Sequence, residues 1–250
     1  MTDLLAIPAV AIPPTPELPE PEEVVRYHEN GAVAERAQMI GGKAHGEVMQ
    51  YTPEGKPASR SRFTAGVLDG ESVTYDEAGD PLVRSRFRAG KLHGDLVLYE
   101  AGRALLQTHY LLGLRDGEAV LFAPSGGVVS RQRYRADRLD GKSEFYDDLG
   151  RLARTAEYRA GVLFGDTVDY YPSGAVRERT PYAAGAIHGD VVGYYESGVV
   201  MRRQKYRAGK PVGKTEWFDE WGRRRRPPES VSTLPLWRRL VLRATRRKKA

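Results

Sequence analysis

RAGKLHGDLVLYEAG, residues 88–102, crowds three glycines, Gly90, Gly94 and Gly102, around His93, Asp95 and Tyr99. In isolation it reads as a glycine-rich loop carrying a histidine and a carboxylate. Its neighbours decide otherwise. TAGVLDGESVTYDEAG precedes it, and LLGLRDGEAVLFAPSG, RADRLDGKSEFYDDLG, RAGVLFGDTVDYYPSG, AAGAIHGDVVGYYESG and RAGKPVGKTEWFDEWG follow. The leading position falls at Gly42, Gly66, Gly90, Gly113, Asp137, Gly161, Gly185 and Gly209, at intervals of 24 residues except for one of 23, where a residue is missing between Tyr99 and Gly102. Self-similarity at a fixed period marks a repeat architecture.

Within each unit a second glycine recurs as Gly46, Gly70, Gly94, Gly117, Gly141, Gly165, Gly189 and Gly213. An aromatic follows five residues later at Tyr51, Tyr75, Tyr99, Phe122, Tyr146, Tyr170, Tyr194 and Phe218. A third glycine comes next, as Gly55, Gly79, Gly102, Gly126, Gly150, Gly174, Gly198 and Gly222, and a second aromatic closes the unit at Phe63, Phe87, Tyr110, Tyr134, Tyr158, Tyr182 and Tyr206. A degenerate leading copy, VVRYHENGAVAERAQMIG, supplies Tyr27 and Gly31.

Frequent glycine disfavours helix, while aromatics, valines and arginines between glycines suit short strands. Each unit therefore reads as two strands of about nine residues joined by tight turns. One turn is of the YPSG or TPEG kind and the other lies at RAG. The HG and DG dipeptides are either further two-residue turns or breaks within a strand. Side-chain parity fails between Leu92 and Tyr99 in a regular strand, which favours a kink or bulge at the glycine. Eight units of two strands predict an all-β, single-layer antiparallel hairpin array of about 16 strands, on the order of 75 Å long, each unit touching mainly its neighbours. Aromatics packing on glycines and aromatics of the next unit supply its stability.

The pattern G-x-L-x-G, four residues, Y, two or three residues, G, closed by an aromatic, resembles the MORN repeat and in particular its bacterial variant, the YwqK-type antitoxin family. The resemblance covers about Val24 to Gly222. It implies a β-hairpin array serving as a scaffold, a protein-binding surface or a lipid-binding surface, and an antitoxin or immunity role. Where such repeats occur in larger proteins they accompany a separate catalytic domain. Here the units consume nearly everything between the two ends, so the chain is read as noncatalytic, without cofactor or metal.

Three segments follow: a disordered, Pro-rich arm over 1–23, the repeat domain over 24–222, and a basic tail over 223–250. With 40% hydrophobic and 29% charged residues the composition is that of an ordinary soluble protein, but 14 tyrosines against 6 phenylalanines favour amphipathic contact surfaces over a deep core. Zero cysteines exclude disulfides and thiolate chemistry. No apolar run approaches the roughly 18–20 residues of a spanning helix. The arm, beginning MTDLLAIPAVAIPPTPELPEPEE, has Asp3 where a signal peptide would be cationic, and reads as an extended polyproline-like segment. A cytoplasmic location is expected, with peripheral attachment to the inner face of a membrane as the alternative.

The formal charge of +6 is unevenly placed. From Arg223 to Ala250 there are 11 basic residues and one Glu, +10, which leaves 28 basic and 32 acidic residues, or −4, for the rest. The tail predicts a short amphipathic helix. At about 100° per residue, Leu236, Trp237, Leu240, Val241 and Ala244 share one arc, and Arg238, Arg239, Arg243 and Arg246 lie opposite, with Leu242 the exception. The arc either caps the last repeat or lies on an anionic membrane, for which Arg223, Arg224, Arg225, Arg226, Trp237, Arg238, Arg239, Arg243, Arg246, Arg247, Lys248 and Lys249 are the candidate contacts. Nucleic acid is disfavoured by the acidic body.

Aligned columns also weigh against local chemistry. His45, His93 and His188 share a column with Asp69, Asp116 and Asp140. At about 9.6 Å per unit, two strands at a time, His45 and His93 stand roughly 19 Å apart, too far to share an ion. A turn or bulge position taking small polar groups explains the column better. Glu47, Glu71, Asp95, Glu118, Asp166 and Asp190 form an acidic column near the separation used by inverting glycosidases, interrupted by Lys142 and Lys214. A basic neighbour is the better explanation, because Arg60, Arg84, Arg131, Arg179 and Arg203, with Arg62, Arg86, Arg133 and Lys205 two residues on, line the following strand. GGKAHG, residues 41–46, lacks the spacing and terminal Lys-Ser/Thr of a phosphate loop. The expected function is that of a scaffold binding a protein partner through its extended sheet, with anionic-lipid binding through the tail as the alternative.

Overall fold

The computed structural model describes residues 20–226. These residues hold 21 strands and no helix, and the strand pairings described below are all antiparallel. In order they are β1 (Glu22–Tyr27), β2 (Val33–Ile40), β3 (Lys43–Tyr51), β4 (Pro57–Thr64), β5 (Val67–Tyr75), β6 (Pro81–Arg88), β7 (Lys91–Glu100), β8 (Arg103–Leu111), β9 (Leu114–Phe122) and β10 (Val128–Arg135). Then come β11 (Arg138–Leu139), β12 (Gly141–Tyr146), β13 (Leu152–Arg159), β14 (Val162–Leu163), β15 (Gly165–Tyr170), β16 (Val176–Ala183), β17 (Ala186–Ile187), β18 (Gly189–Tyr194), β19 (Val200–Arg207), β20 (Lys210–Phe218) and β21 (Arg224–Arg225). The sheet begins at Glu22, inside the stretch read as arm, and β21 lies inside the stretch read as tail.

The chain divides into two compact units. Among the described residues, the first takes those up to Pro81, with Arg86–Lys91, and the second takes Leu82–Ser85 and those from Leu92 on. Within each, a strand pairs with those before and after it in the chain. In the first unit β1 pairs β2, β2 pairs β3, β3 pairs β4 and β4 pairs β5. The second unit repeats the scheme, for example β7 with β8, β8 with β9 and β18 with β19. This is the hairpin array that the repeat predicts.

Two kinds of turn alternate. At Ala65-Gly66, Ala89-Gly90, Leu112-Gly113, Ala136-Asp137, Ala160-Gly161, Ala184-Gly185 and Ala208-Gly209 both central residues have positive φ, as a type I′ turn requires. That turn matches the strand twist and makes two-residue hairpins. Asp137 takes the glycine place at φ 64, a conformation its short polar side chain tolerates. The other turn keeps three residues between its hydrogen-bonded ends. Thr52 N donates to the Lys56 carbonyl at 2.8 Å, Gly55 N to the Thr52 carbonyl at 2.8 Å, and Gly55 has φ 81. Losing one residue in the short repeat converts this loop to a second two-residue turn, Ala101-Gly102, closed by Glu100 opposite Arg103.

The in-strand glycine is a bulge. Ala37 faces Val48 and Met39 faces Ala44, so Gln38 alone stands against His45, Gly46 and Glu47. The same shift separates Ser61 from Phe63 against β5 and Thr108 from Tyr110 against β9. At Asp140, Phe164 and His188 the break is deep enough to divide one strand into two, and these three divisions together with β1 and β2 of the leading copy bring the sixteen expected strands to 21.

Candidate functional site

Alternation along the strands gives the sheet two faces of different chemistry. The first carries a band of uncharged, mostly small side chains paired directly across strands. In the first unit this band is Ala37, Val48, Ser61 and Ser72. In the second it includes Leu96, Thr108, Ala119 and Gln132, then Ser143 with Ala156, Thr167 with Thr180 and Val191 with Gln204. Ala37, Val48, Thr108, Ala119, Ser143, Ala156, Val191 and Gln204 are buried. Beside the band, each bulge glycine faces an aromatic of the next strand: Gly46 Phe63, Gly94 Tyr110, Gly117 Tyr134, Gly141 Tyr158, Gly165 Tyr182 and Gly189 Tyr206. The space that the glycine leaves is taken by a side chain of the preceding strand, Glu157 at Gly165 and Pro181 at Gly189, and not by the facing ring.

The band is the floor of shallow grooves. In the second unit a groove of about 480 Å³ has Ala156 and Thr167 on its floor, Phe145, Tyr158, Leu163 and Tyr182 around it, and Arg154 and Asp169 at one end. Arg154 donates two bonds to Asp169, at 2.6 and 3.1 Å, which raises the guanidinium pKa. In the first unit a groove of about 310 Å³ is bounded by Ala37, Met39, Val48, Ser61 and Phe63, with Arg26 and Glu35 paired at 3.0 Å. A third groove, of about 660 Å³, lies on the other, charged face among Glu118, Arg131, Arg133, Arg135, Lys142 and Glu144.

The opposite face is charged. Arginines alternate with apolar residues across the strands: Met49, Arg60 and Val73 in the first unit; Val168, Arg179, Val192 and Arg203 in the second. Val73 is only 1% exposed opposite Arg60, whose aliphatic stem can shield it while the guanidinium stays wet. The acidic column meets basic partners, as the arginine columns led one to expect. Arg60 bonds Glu71 at 2.7 Å, Arg131 Glu118 at 3.3 Å, Arg179 Asp166 at 2.6 Å and His109 Asp95 at 2.8 Å. The bond to Asp166 is the main cause of a raised Arg179 pKa. The aromatics Tyr51, Tyr75, Tyr99, Phe122, Tyr146, Tyr170, Tyr194 and Phe218 are all half-buried. By parity with Glu144 and Val168, Tyr146 and Tyr170 belong to this face, and Tyr146 donates to Glu144 at 2.8 Å.

Four members of the mixed His/Asp column accept a hydrogen bond. His45 Nδ1 receives the Ala65 N–H at 3.4 Å, Asp69 that of Ala89 at 3.4 Å, Asp116 that of Ala136 at 3.2 Å and Asp140 that of Ala160 at 3.4 Å. At these four places histidine and aspartate interchange because both offer an acceptor to the first N–H of the next type I′ turn, whereas His93 Nδ1 is buried with no hydrogen-bond partner among the described residues. Among the described residues no three His, Cys, Asp or Glu side chains are placed to hold a metal ion. The second N–H of each turn is also committed: Gly66 N donates to Ala44 O at 2.7 Å, Gly161 N to Leu139 O at 2.7 Å and Gly209 N to Ile187 O at 2.8 Å. The seven turns from Ala65-Gly66 to Ala208-Gly209 are each thereby tied to the start of the preceding repeat.

Sequence reasoning missed a second set of ties. His28 Nε2 bonds the Tyr51 carbonyl at 2.9 Å, Tyr171 Oη donates to the Tyr194 carbonyl at 2.7 Å and Tyr195 Oη to the Phe218 carbonyl at 2.9 Å. All three side chains open a three-residue loop and reach the strand end of the next repeat. Where aspartate opens the loop it closes it locally, as Asp147 does by accepting from the Leu149 and Arg151 N–H groups at 3.0 and 2.9 Å.

Of the candidate tail contacts, Arg223 pairs with Asp219 at 3.2 Å and stands 5.1 Å over the Trp221 ring, Arg224 bonds Glu216, and Arg225 and Arg226 are exposed. Trp237, Arg238, Arg239, Arg243, Arg246, Arg247, Lys248 and Lys249, and the amphipathic helix read there, lie outside the described residues, as does most of the Pro-rich arm. No helix among the described residues is long and apolar enough to cross a membrane.

No family model and no curated protein matches the chain. Among solved structures, a chain of the crystal structure of TcdB2-TccC3 is similar at 10% identity over 78% of this chain, with a TM-score of 0.16. This chain spans 14% of that one, and a likeness so weak carries no argument about fold or function.

Proposed function

We propose that the repeat body is a noncatalytic scaffold that binds a protein partner through its extended sheet. The observation that carries this reading is the uncharged band, floored in the second unit by Ser143, Ala156, Thr167 and Val191 and walled by Tyr158 and Tyr182. Small side chains let another backbone approach closely, and flanking tyrosines supply large amphipathic contact area at low entropic cost. An antitoxin or immunity role, implied by the resemblance to MORN variants, is the form of this reading in which the partner is a toxin.

The test is capture with the full chain, identification of the bound protein, and measurement of its affinity in purified form. Thr167→Arg and Thr180→Arg, which fill the groove, should each weaken binding at least tenfold, while Glu196→Arg in a loop should leave it unchanged. Equal affinity for all three variants, or binding lost only on removing residues 227–250, would overturn the reading. The second outcome would instead support the anionic-surface alternative.

A further inference from the structure

The second unit carries a ladder of tyrosines whose hydroxyls its own fold does not use. Tyr158 on β13, Tyr182 on β16 and Tyr206 on β19 share the uncharged face with Ala156, Thr180 and Gln204 by parity, and stand opposite Leu163, Ile187 and Pro211. The broken strand β14–β15 lies between the first two, and β17–β18 between the second and third. Two strand spacings set successive rings about 9.6 Å apart. All three are half-buried, and Tyr158 and Tyr182 wall the same groove of about 480 Å³. Their hydroxyls make no hydrogen bond among the described residues, whereas Tyr134, one repeat earlier, donates to Gln132 at 3.3 Å and has Arg115 4.2 Å over its ring.

Such a ladder fits a chain with apolar groups about 9.6 Å apart and backbone carbonyls free to accept from the hydroxyls. A β-strand repeats its side chains on one face every ~6.7 Å, and an α-helix bonds its carbonyls internally. Polyproline II meets both needs, since three residues per turn at about 3.1 Å each repeat every ~9.3 Å and leave the backbone without internal hydrogen bonds. Over three rings the mismatch stays below about 1 Å. The chain contains a segment of this kind. IPPTPELP, residues 12–19, places Pro13, Pro16 and Pro19 at intervals of three, on one face of a polyproline II helix. In its own copy that segment leads into β1 of the first unit, where the matching column reads Met39, Phe63 and Phe87 and offers no hydroxyl.

We infer that the tyrosine ladder of one copy takes up residues 13–19 of a second copy, laid across the strands in the polyproline II conformation. Pro13, Pro16 and Pro19 pack on successive rings, and carbonyls between them accept from the hydroxyls of Tyr158, Tyr182 and Tyr206. Proline-rich segments dock in aromatic-lined grooves at low entropic cost, because the free chain already favours the bound shape. The inference rests on the reading of the uncharged face as a protein-binding surface, and names the segment that one part of it receives.

The probe is a fluorescein-labelled peptide of sequence AIPPTPELPE, residues 11–20 of this chain, titrated against the full chain by fluorescence anisotropy. Saturable binding with a Kd below about 0.3 mM is expected. Tyr182→Phe keeps the ring and removes a hydroxyl that the fold leaves unbonded, so it should weaken binding about fivefold with the thermal midpoint unchanged. Exchanging Thr15 and Pro16 in the peptide leaves no two prolines three apart, and should weaken binding at least fivefold. The full chain should associate in sedimentation when concentrated to about 0.3 mM, and removal of residues 1–19 should abolish the association. No peptide binding at about 1 mM, or affinity indifferent both to the exchange and to Tyr182→Phe, overturns the inference. So does a full chain that stays monomeric at about 0.3 mM while the peptide binds, because the ladder would then serve its own arm or the proline-rich segment of another protein. Failure here with capture of another protein still sensitive to Thr167→Arg leaves the face reading standing.

Discussion

Lys142 lies directly opposite Glu157, the reverse of Glu47 opposite Arg62 and of Glu118 opposite Arg133 at the same place in other repeats. Both members of the pair have changed sign together. Opposite charges across a strand pair contribute, and like charges there repel, so the double exchange keeps the sheet compatible with itself. Lys142 also bonds Glu144 at 2.7 Å, which is the main cause of its raised pKa.

Lys142→Glu should therefore place two carboxylates face to face and destabilise the protein by about 0.5–1 kcal/mol. Adding Glu157→Arg should recover most of the loss, and the difference should shrink in high salt because the lysine side chain is 54% exposed. Urea denaturation of the two single variants and the double variant measures the coupling. Strict additivity would refute cross-strand pairing at this position.

The type I′ turns hold alanine at positive φ, as at Ala160 with φ 50 and Ala208 with φ 49. An L-residue with a Cβ is strained there by about 1–2 kcal/mol, less for asparagine. Ala160→Asn should raise stability by about 0.5–1 kcal/mol, because Asn-Gly is the favoured pair for this turn. The N–H bond from residue 160 to Asp140 is made by the backbone and survives the change. An unchanged or lower thermal midpoint would show that the strain is relieved elsewhere.

The turns, the strand order and the bulge were legible because each leaves a trace along the chain: glycine at φ > 0, a fixed period, and broken parity between Leu92 and Tyr99. The acceptor role of His45 and Asp69 was not, because the partner is a backbone N–H 20 residues away and leaves no mark on side-chain identity. Tyr171 and Tyr195 were hidden likewise, since a tyrosine opening a loop looks like solvent-exposed composition until the Tyr194 and Phe218 carbonyls are seen above it. The two faces could not be separated either. Parity assigns faces only within an unbroken strand, and every unit carries a bulge in one of its strands.

Gly70 combines φ 130 with a close approach, since a Cβ there would stand 2.9 Å from Arg62 Cβ. Gly70→Ala should lower stability by about 2 kcal/mol or more, from backbone strain and overpacking together. Gly174, at φ 86 with nothing within 4 Å, is the control, and Gly174→Ala should lose only about 1 kcal/mol. Equal losses would mean that the approach of Arg62 contributes nothing.

Tyr195→Phe removes one hydroxyl and the 2.9 Å bond to the Phe218 carbonyl. A loss of about 1 kcal/mol is expected, with faster amide exchange in β20 and the loop that follows it. Exchange increased uniformly along the chain would instead indicate that the bond serves the fold as a whole and does not tie two neighbouring repeats.

Asp147 carries a pH signature. The Arg151 side chain at 2.8 Å, then the backbone N–H groups of Arg151 and Leu149, hold its carboxylate below the ordinary range. The folded protein therefore keeps this group ionised at pH values where the unfolded chain already binds a proton, and acid favours the unfolded state. The contribution is complete above the ordinary carboxylate pKa of about 3.9 and is lost as pH falls through the lowered value. Asp147→Asn keeps acceptors for the Leu149 and Arg151 N–H groups but not the charge. The gap in urea midpoint between parent and variant should be constant from about pH 5 to 8 and close below about pH 4. A gap that persists undiminished to about pH 2 would show that the charge on Asp147 is not what the Arg151 contact stabilises.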